Sequence, residues 1–157
     1  MTAPAGAAVD GRLRRRAQVL VWLTIAWNAV EAVIALTAGA AAGSGALISF
    51  GLDSTIEVSA ALVALWYLRG EAEEREALAG RLIGLSFWAL AAWVSFDAVT
   101  DLIGSERPDT SVAGIALTAV SVVVMPALAI TKRRTGERLG SNALVAESSE
   151  TMVCAYL

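Results

Sequence analysis

Gly45–Leu68 reads GALISFGLDSTIEVSAALVALWYL. Apart from Asp53 and Glu57 it carries no charge. At ~1.5 Å per helical residue it is long enough to cross the ~30 Å hydrocarbon core of a bilayer. The two acids are spaced i, i+4, which puts them on one face of a helix. Each costs roughly 2.5–3.5 kcal/mol at the bilayer centre on insertion scales. Two such costs on one face read as function, because carboxylates turned toward a bundle interior suit a path for a cation or a proton.

The rest of the chain agrees with a membrane location. Its 157 residues are 57% hydrophobic, with a mean hydropathy of +0.63, too apolar for a typical soluble domain. A net charge of −3 implies no bulk electrostatic partner. The basic cluster Arg12, Arg14, Arg15 and Arg16 reads as a membrane-flanking signal rather than a nucleic-acid patch. The single cysteine, Cys154, excludes an internal disulfide framework and a CxxC metal site. The lack of histidine removes the commonest neutral metal ligand, so a metal site here is built mainly of oxygen. With no nucleophile–base pair and no HExxH-like motif, an enzyme is not expected.

The expected fold is an all-α integral membrane protein, a transmembrane helix bundle with four full helices and a partial fifth. Residues 1–16 form a cytosolic basic tail whose first ten residues, rich in Ala, Gly and Pro, are expected to be disordered. The transmembrane domain covers 17–157, with helices at about 17–42, 46–69, 82–104, 111–131 and 142–157. The first apolar run exceeds the roughly 7–15 residues of a signal-peptide core and is expected to stay as an anchor. The charged stretch 69–81 reads as a linker, helical at the membrane surface, 105–110 (SERPDT) as a loop stopped by Pro108, and 131–142 (TKRRTGERLGSN) as a basic linker. Pro126 is expected to kink helix four. All Lys and Arg except Arg107 fall on the N-terminus and the second and fourth connections, which places the N-terminus in the cytosol of a multi-pass cell-membrane protein. The fifth helix runs to Leu157, short of a full crossing. The expectation is a chain cut inside that helix, with no C-terminal soluble domain.

Helical rise places the acids in two tiers. Glu31 lies roughly 20 Å up helix one, Asp53 roughly 12 Å down helix two, and Glu57 about 6 Å below Asp53. Glu147 and Glu150, roughly 8–12 Å up helix five, come level with Glu57. Converging carboxylates repel, and a divalent cation or protons relieve that repulsion, so one set of residues can exchange a metal ion for protons. Asn28, Ser49, Ser54 and Thr55 can add neutral oxygens or supporting hydrogen bonds. Asp97 and Asp101 read as an outer solvated rim. Trp22, Trp27, Trp66, Trp88 and Trp93 read as interface anchors or packing, and Cys154 as a buried small hydrophobe.

These residues resemble a known family. Trp27-Asn28-x-x-Glu31, then Gly43-Ser44-Gly45-Ala46-Leu47-Ile48-Ser49, then Asp53-x-x-x-Glu57, are similar to the first two helices of the cation diffusion facilitator transporters. In that family the i, i+4 pair of helix two supplies half of a transport site and an i, i+4 pair of helix five the other half. Glu150 matches the second member of that latter pair. The first falls on Ala146, and Glu147 is the adjacent acid. The resemblance implies six helices, a homodimer, and efflux of a divalent transition metal driven by proton exchange.

The expected metal-site residues are therefore Asp53, Glu57, Glu150, Glu147, Glu31 and Asn28. The partners are the bilayer, a divalent metal ion, protons and a second copy of the chain, with no nucleic acid and no bound cofactor. The transported ion stays open among Mn²⁺, Zn²⁺ and Fe²⁺, with oxygen ligation leaning to Mn²⁺. The competing expectation is a non-transporting scaffold or regulatory remnant whose buried acids only bind helices together.

Overall fold

Three serines start three of the helices. Ser44, Ser111 and Ser141 each sit in an extended conformation, and their hydroxyls accept from the backbone N–H of Leu47, Gly114 and Leu144. Gly43 (φ 60) and Gly140 (φ 64) stand just before two of them, in the left-handed conformation that lets one helix end and the next begin within two residues. A computed structural model describes residues 5–69, 73–104 and 110–156. Among them the chain forms α1 (Ala5–Ala42), α2 (Gly45–Leu68), α3 (Glu73–Ile103), α4 (Val112–Leu139) and α5 (Asn142–Cys154), with no strand. Four helices are long and apolar enough to cross a membrane, over Asp10–Ala42, Gly45–Leu68, Glu76–Thr100 and Val112–Leu139. The protein is a multi-pass membrane protein.

Three helices run further than hydropathy suggested. Residues 5–10 belong to α1 rather than to a disordered tail, the expected surface helix is continuous with α3 from Glu73 onward, and α4 absorbs most of the basic linker. Ala, Glu, Leu, Arg and Lys make up most of these stretches. All are strong helix formers, so the backbone continues as helix where the side chains have stopped being apolar. Pro126 lies inside α4 without ending it. The loop with Pro108 (105–109), residues 1–4, 70–72 and 157, and the side chains of Asp97 and Asp101 lie outside the described residues.

α1 packs on α2 and α4, and α5 is wedged among α2, α3 and α4. At one end of the bundle, Arg14 and Gln18 of α1 donate to the last carbonyl of α2, Leu68 O. At the same end the Glu76 carboxylate of α3 accepts from the Asn142 N–H at 2.7 Å, fixing the start of α5. The core beneath is built of small residues, Ala17, Ala60, Ala61, Ala64, Ala79 and Ala143, which let the helix backbones approach closely.

α1 and α2 approach closely at Gly51. A methyl group there would sit 2.7 Å from Leu36 Cγ and 3.1 Å from the Leu36 backbone nitrogen. Gly51→Ala is therefore expected to destabilise the bundle by about 1–3 kcal/mol, the usual range for overpacking. Thermal unfolding of the detergent-solubilised protein checks this, and an unchanged midpoint would mean that the two helices separate at little cost.

The distribution of polarity is inside-out. Large apolar side chains point outward, among them Leu85, Trp88, Leu102, Val112 and Val123. The interior holds Asn28, Glu31, Asp53, Glu57, Lys132, Glu147 and Glu150, each no more than 2% exposed. An apolar exterior is what lipid requires, and interior charge in such a bundle marks where its chemistry lies.

Candidate functional site

α2 buries Phe50, Asp53, Ser54, Glu57, Ala60, Ala61 and Ala64, a stripe at the spacing of one helix face. α5 buries Leu144, Glu147, Ser148, Glu150, Thr151 and Cys154 in the same way. Where the two stripes meet, the acids of both helices face each other. Glu150 feels the charges of Glu57, Glu147 and Asp53, and Glu57 feels those of Glu147 and Asp53. All six expected site residues are buried, and they divide by how they are satisfied.

Glu31 is fully engaged. Its Oε1 accepts from Trp27 Nε1 at 2.6 Å and from the Ser121 hydroxyl of α4, and its Oε2 from the Ser54 hydroxyl of α2 at 3.4 Å. Three helices are thus tied through one carboxylate. Asn28 donates to Thr24 O at 3.0 Å within its own helix, and its Oδ1 has no partner. Glu147 is committed to a cation: its Oε1 lies 2.7 Å from the Lys132 ammonium, both side chains being fully buried. Its Oε2 has no hydrogen-bond partner. The same ammonium donates to the Thr151 hydroxyl.

Asp53, Glu57 and Glu150 are different. Asp53 Oδ2 and both oxygens of Glu57 and of Glu150 are buried without a hydrogen-bond partner. Leaving polar groups unmet costs about 1–3 kcal/mol each, and more when they are charged. Five such oxygens on three neighbouring carboxylates are a large unmet demand for a positive partner. The Cys154 thiol lies against the Asp53 carboxylate. Among the described residues, no three of His, Cys, Asp and Glu stand close enough together to hold a metal ion as they are.

Four participants were not legible as such in the sequence. Lys132 lay in what read as a surface linker, yet Ser121, Met125, Ala129, Lys132, Thr135 and Gly136 form one buried stripe of α4. That periodicity, carried past the end of the apolar run, was the signal. Ser121 and Thr151 are ordinary helix residues until a neighbouring charge selects them. Trp27 read as an interface anchor or a packing residue, but its indole N–H is spent on Glu31. Of the neutral oxygens, Ser49 accepts from Trp93 Nε1 at 3.1 Å, and Thr55 donates to Gly51 O at 2.9 Å.

A family model described as the cation efflux transmembrane domain matches residues 21–156. Transmembrane protein 163 of Xenopus laevis is 25% identical over 144 residues, which cover 89% of this chain and 51% of that protein. A Synechocystis protein named as an uncharacterized transporter is 30% identical over 138 residues, covering 80% of this chain and 44% of that protein. The chain spans about half the length of these curated relatives. No solved structure matches it.

Proposed function

The chain belongs to the cation efflux family, and from that premise we propose that it carries divalent transition-metal cations across the membrane in exchange for protons, with Asp53, Glu57 and Glu150 as the ligands. The observation that carries this reading is the set of five buried, unpartnered oxygens on those three carboxylates. A divalent cation satisfies them, and when it leaves, protons can replace it without leaving bare charge in low dielectric. Bare carboxylates repel, so binding must draw α5 and α2 closer around the ion.

Of the six residues that the sequence pointed to, Glu31, Asn28 and Glu147 are assigned supporting roles, because Glu31 and Glu147 already hold strong partners and Asn28 is tied to its own helix. Those partners favour the helix-binding role for Glu31 and Glu147, whereas the carboxylate oxygens of Glu57 and Glu150 make no hydrogen bond. Oxygen ligands lean to Mn²⁺, while the Cys154 thiol beside Asp53 keeps Zn²⁺ and Fe²⁺ in competition. The same reading has the arginine-rich end of the bundle in the cytosol and a homodimer as the working unit.

The test is uptake into everted vesicles containing the protein. Added Mn²⁺ is expected to enter when the interior is acidic and to collapse the imposed proton gradient, with collapse of the gradient beforehand stopping uptake. Metal entry that ignores the gradient would remove the exchange part of the proposal, and no entry of Mn²⁺, Zn²⁺ or Fe²⁺ would remove the transport part.

A further inference from the structure

Lys132 is the one lysine of the chain, and it is fully buried. A buried ammonium is costly unless it is paired, and its desolvation commonly outweighs what a single ion pair returns. Helix connection alone would be met as well by apolar residues. Its position offers a second role. Besides the 2.7 Å contact with Glu147 and the bond to Thr151, its charge acts on Glu57 and on Glu150, two of the three carboxylates that lack partners. It reaches them from α4, which contributes no carboxylate to the cluster.

We propose that Lys132 is a tethered countercation of the carboxylate cluster, competing with the transported ion and holding Glu147 out of the ligand set. The inference rests on the assignment of Asp53, Glu57 and Glu150 as the ion site. With Lys132 in place the empty site carries one positive charge of its own, which limits how tightly a divalent ion is held and so favours its release. Glu147 serves as the resting partner of the ammonium, and Thr151 keeps the pair in register.

Titration of the purified full chain with Mn²⁺ alone, read by equilibrium binding, tests this with variants of opposite sign. Lys132→Gln removes the competitor and frees Glu147, so affinity is expected to rise by about tenfold or more, given the strength of a unit charge near a divalent ion. Glu147→Gln leaves the ammonium without its resting partner and within reach of Glu57 and Glu150, so affinity is expected to fall by a similar factor. The double variant removes one charge of each sign and is expected to return toward the parental value. A merely structural ion pair predicts that both single variants weaken binding or leave it unchanged. Either result in Lys132→Gln overturns the proposal, and if that variant does not fold, unchanged affinity in Glu147→Gln overturns it. Glu57→Gln separates the two claims: if it leaves Mn²⁺ binding intact, the site assignment has failed, whereas lost binding there with unshifted Lys132 and Glu147 variants rejects the countercation alone.

Discussion

Asp53→Ala is expected to abolish metal flux while leaving the bundle as stable as before. The two halves of this outcome come from the same fact. Asp53 is 2% exposed, and its Oδ2 has no hydrogen-bond partner, so in the ion-free protein the carboxylate is a burden. Removing a half-satisfied buried acid offsets the small cavity that the alanine leaves, so the midpoint of thermal unfolding is expected to hold. In the ion-bound state the same oxygen is a ligand. A unit charge about 4 Å from another is worth roughly 4 kcal/mol at an effective dielectric of 20, and more against a divalent ion. Even after desolvation is subtracted, the loss amounts to about hundredfold or more in affinity, at ~1.4 kcal/mol per factor of ten. Asp53→Asn keeps the shape and the hydrogen-bonding capacity but not the charge, and it is expected to fail in flux equally. Normal uptake by either variant sinks the site. If instead both variants lower the melting point and flux falls only in proportion, Asp53 binds helices together and the scaffold reading takes its place.

The legible part of this protein was the part in which one residue's cost is visible without its neighbours. Asp53 and Glu57 stand out in Gly45–Leu68 because each is expensive in lipid wherever its partner lies. The start of α2, expected at 46, lies at Gly45, where Gly43 and Ser44 act locally, and the start of α5, expected at 142, lies at Asn142. The starts of α1 and α3 and the end of α4 were not legible in this way. There the apolar pattern stops but helix propensity does not, and residues 131–139 look like linker only to a hydropathy reading. Lys132 escaped for that reason. The assignment of partners was illegible for a different one. Glu31 and Glu57 are both glutamates facing the interior, and only Trp27, one turn before Glu31, distinguishes them locally. Ser121 and Trp27 hydrogen-bond the first, whereas the oxygens of the second make no such bond, although the Thr151 hydroxyl lies beside it. That difference depends on which faces of α1, α2 and α4 meet, which only the packed bundle specifies.

Glu31 should accordingly behave as the inverse of Asp53. Glu31→Ala removes the shared acceptor of Trp27, Ser54 and Ser121. Ser54 has a second acceptor in Phe50 O at 3.0 Å, so its hydroxyl is not stranded. The Trp27 N–H and the Ser121 hydroxyl lose the carboxylate that holds them. Each buried donor left unmet costs about 1–3 kcal/mol, and a cavity is added where the side chain was. The expected total is about 3–5 kcal/mol, seen as a large drop in the melting point and in the yield of folded protein in detergent. Glu31→Gln keeps a carbonyl oxygen in the position of Oε1 and so can still accept from Trp27 and Ser121. It is expected to recover most of that stability and to transport metal at close to the parental rate. The carboxylates that carry the ion and the carboxylate that holds the helices are then separable: Asp53→Asn melts normally and does not transport, while Glu31→Gln does both. Lost flux in a Glu31→Gln protein with an unchanged melting point would move Glu31 into the ligand set and extend the site from α2 and α5 onto α1.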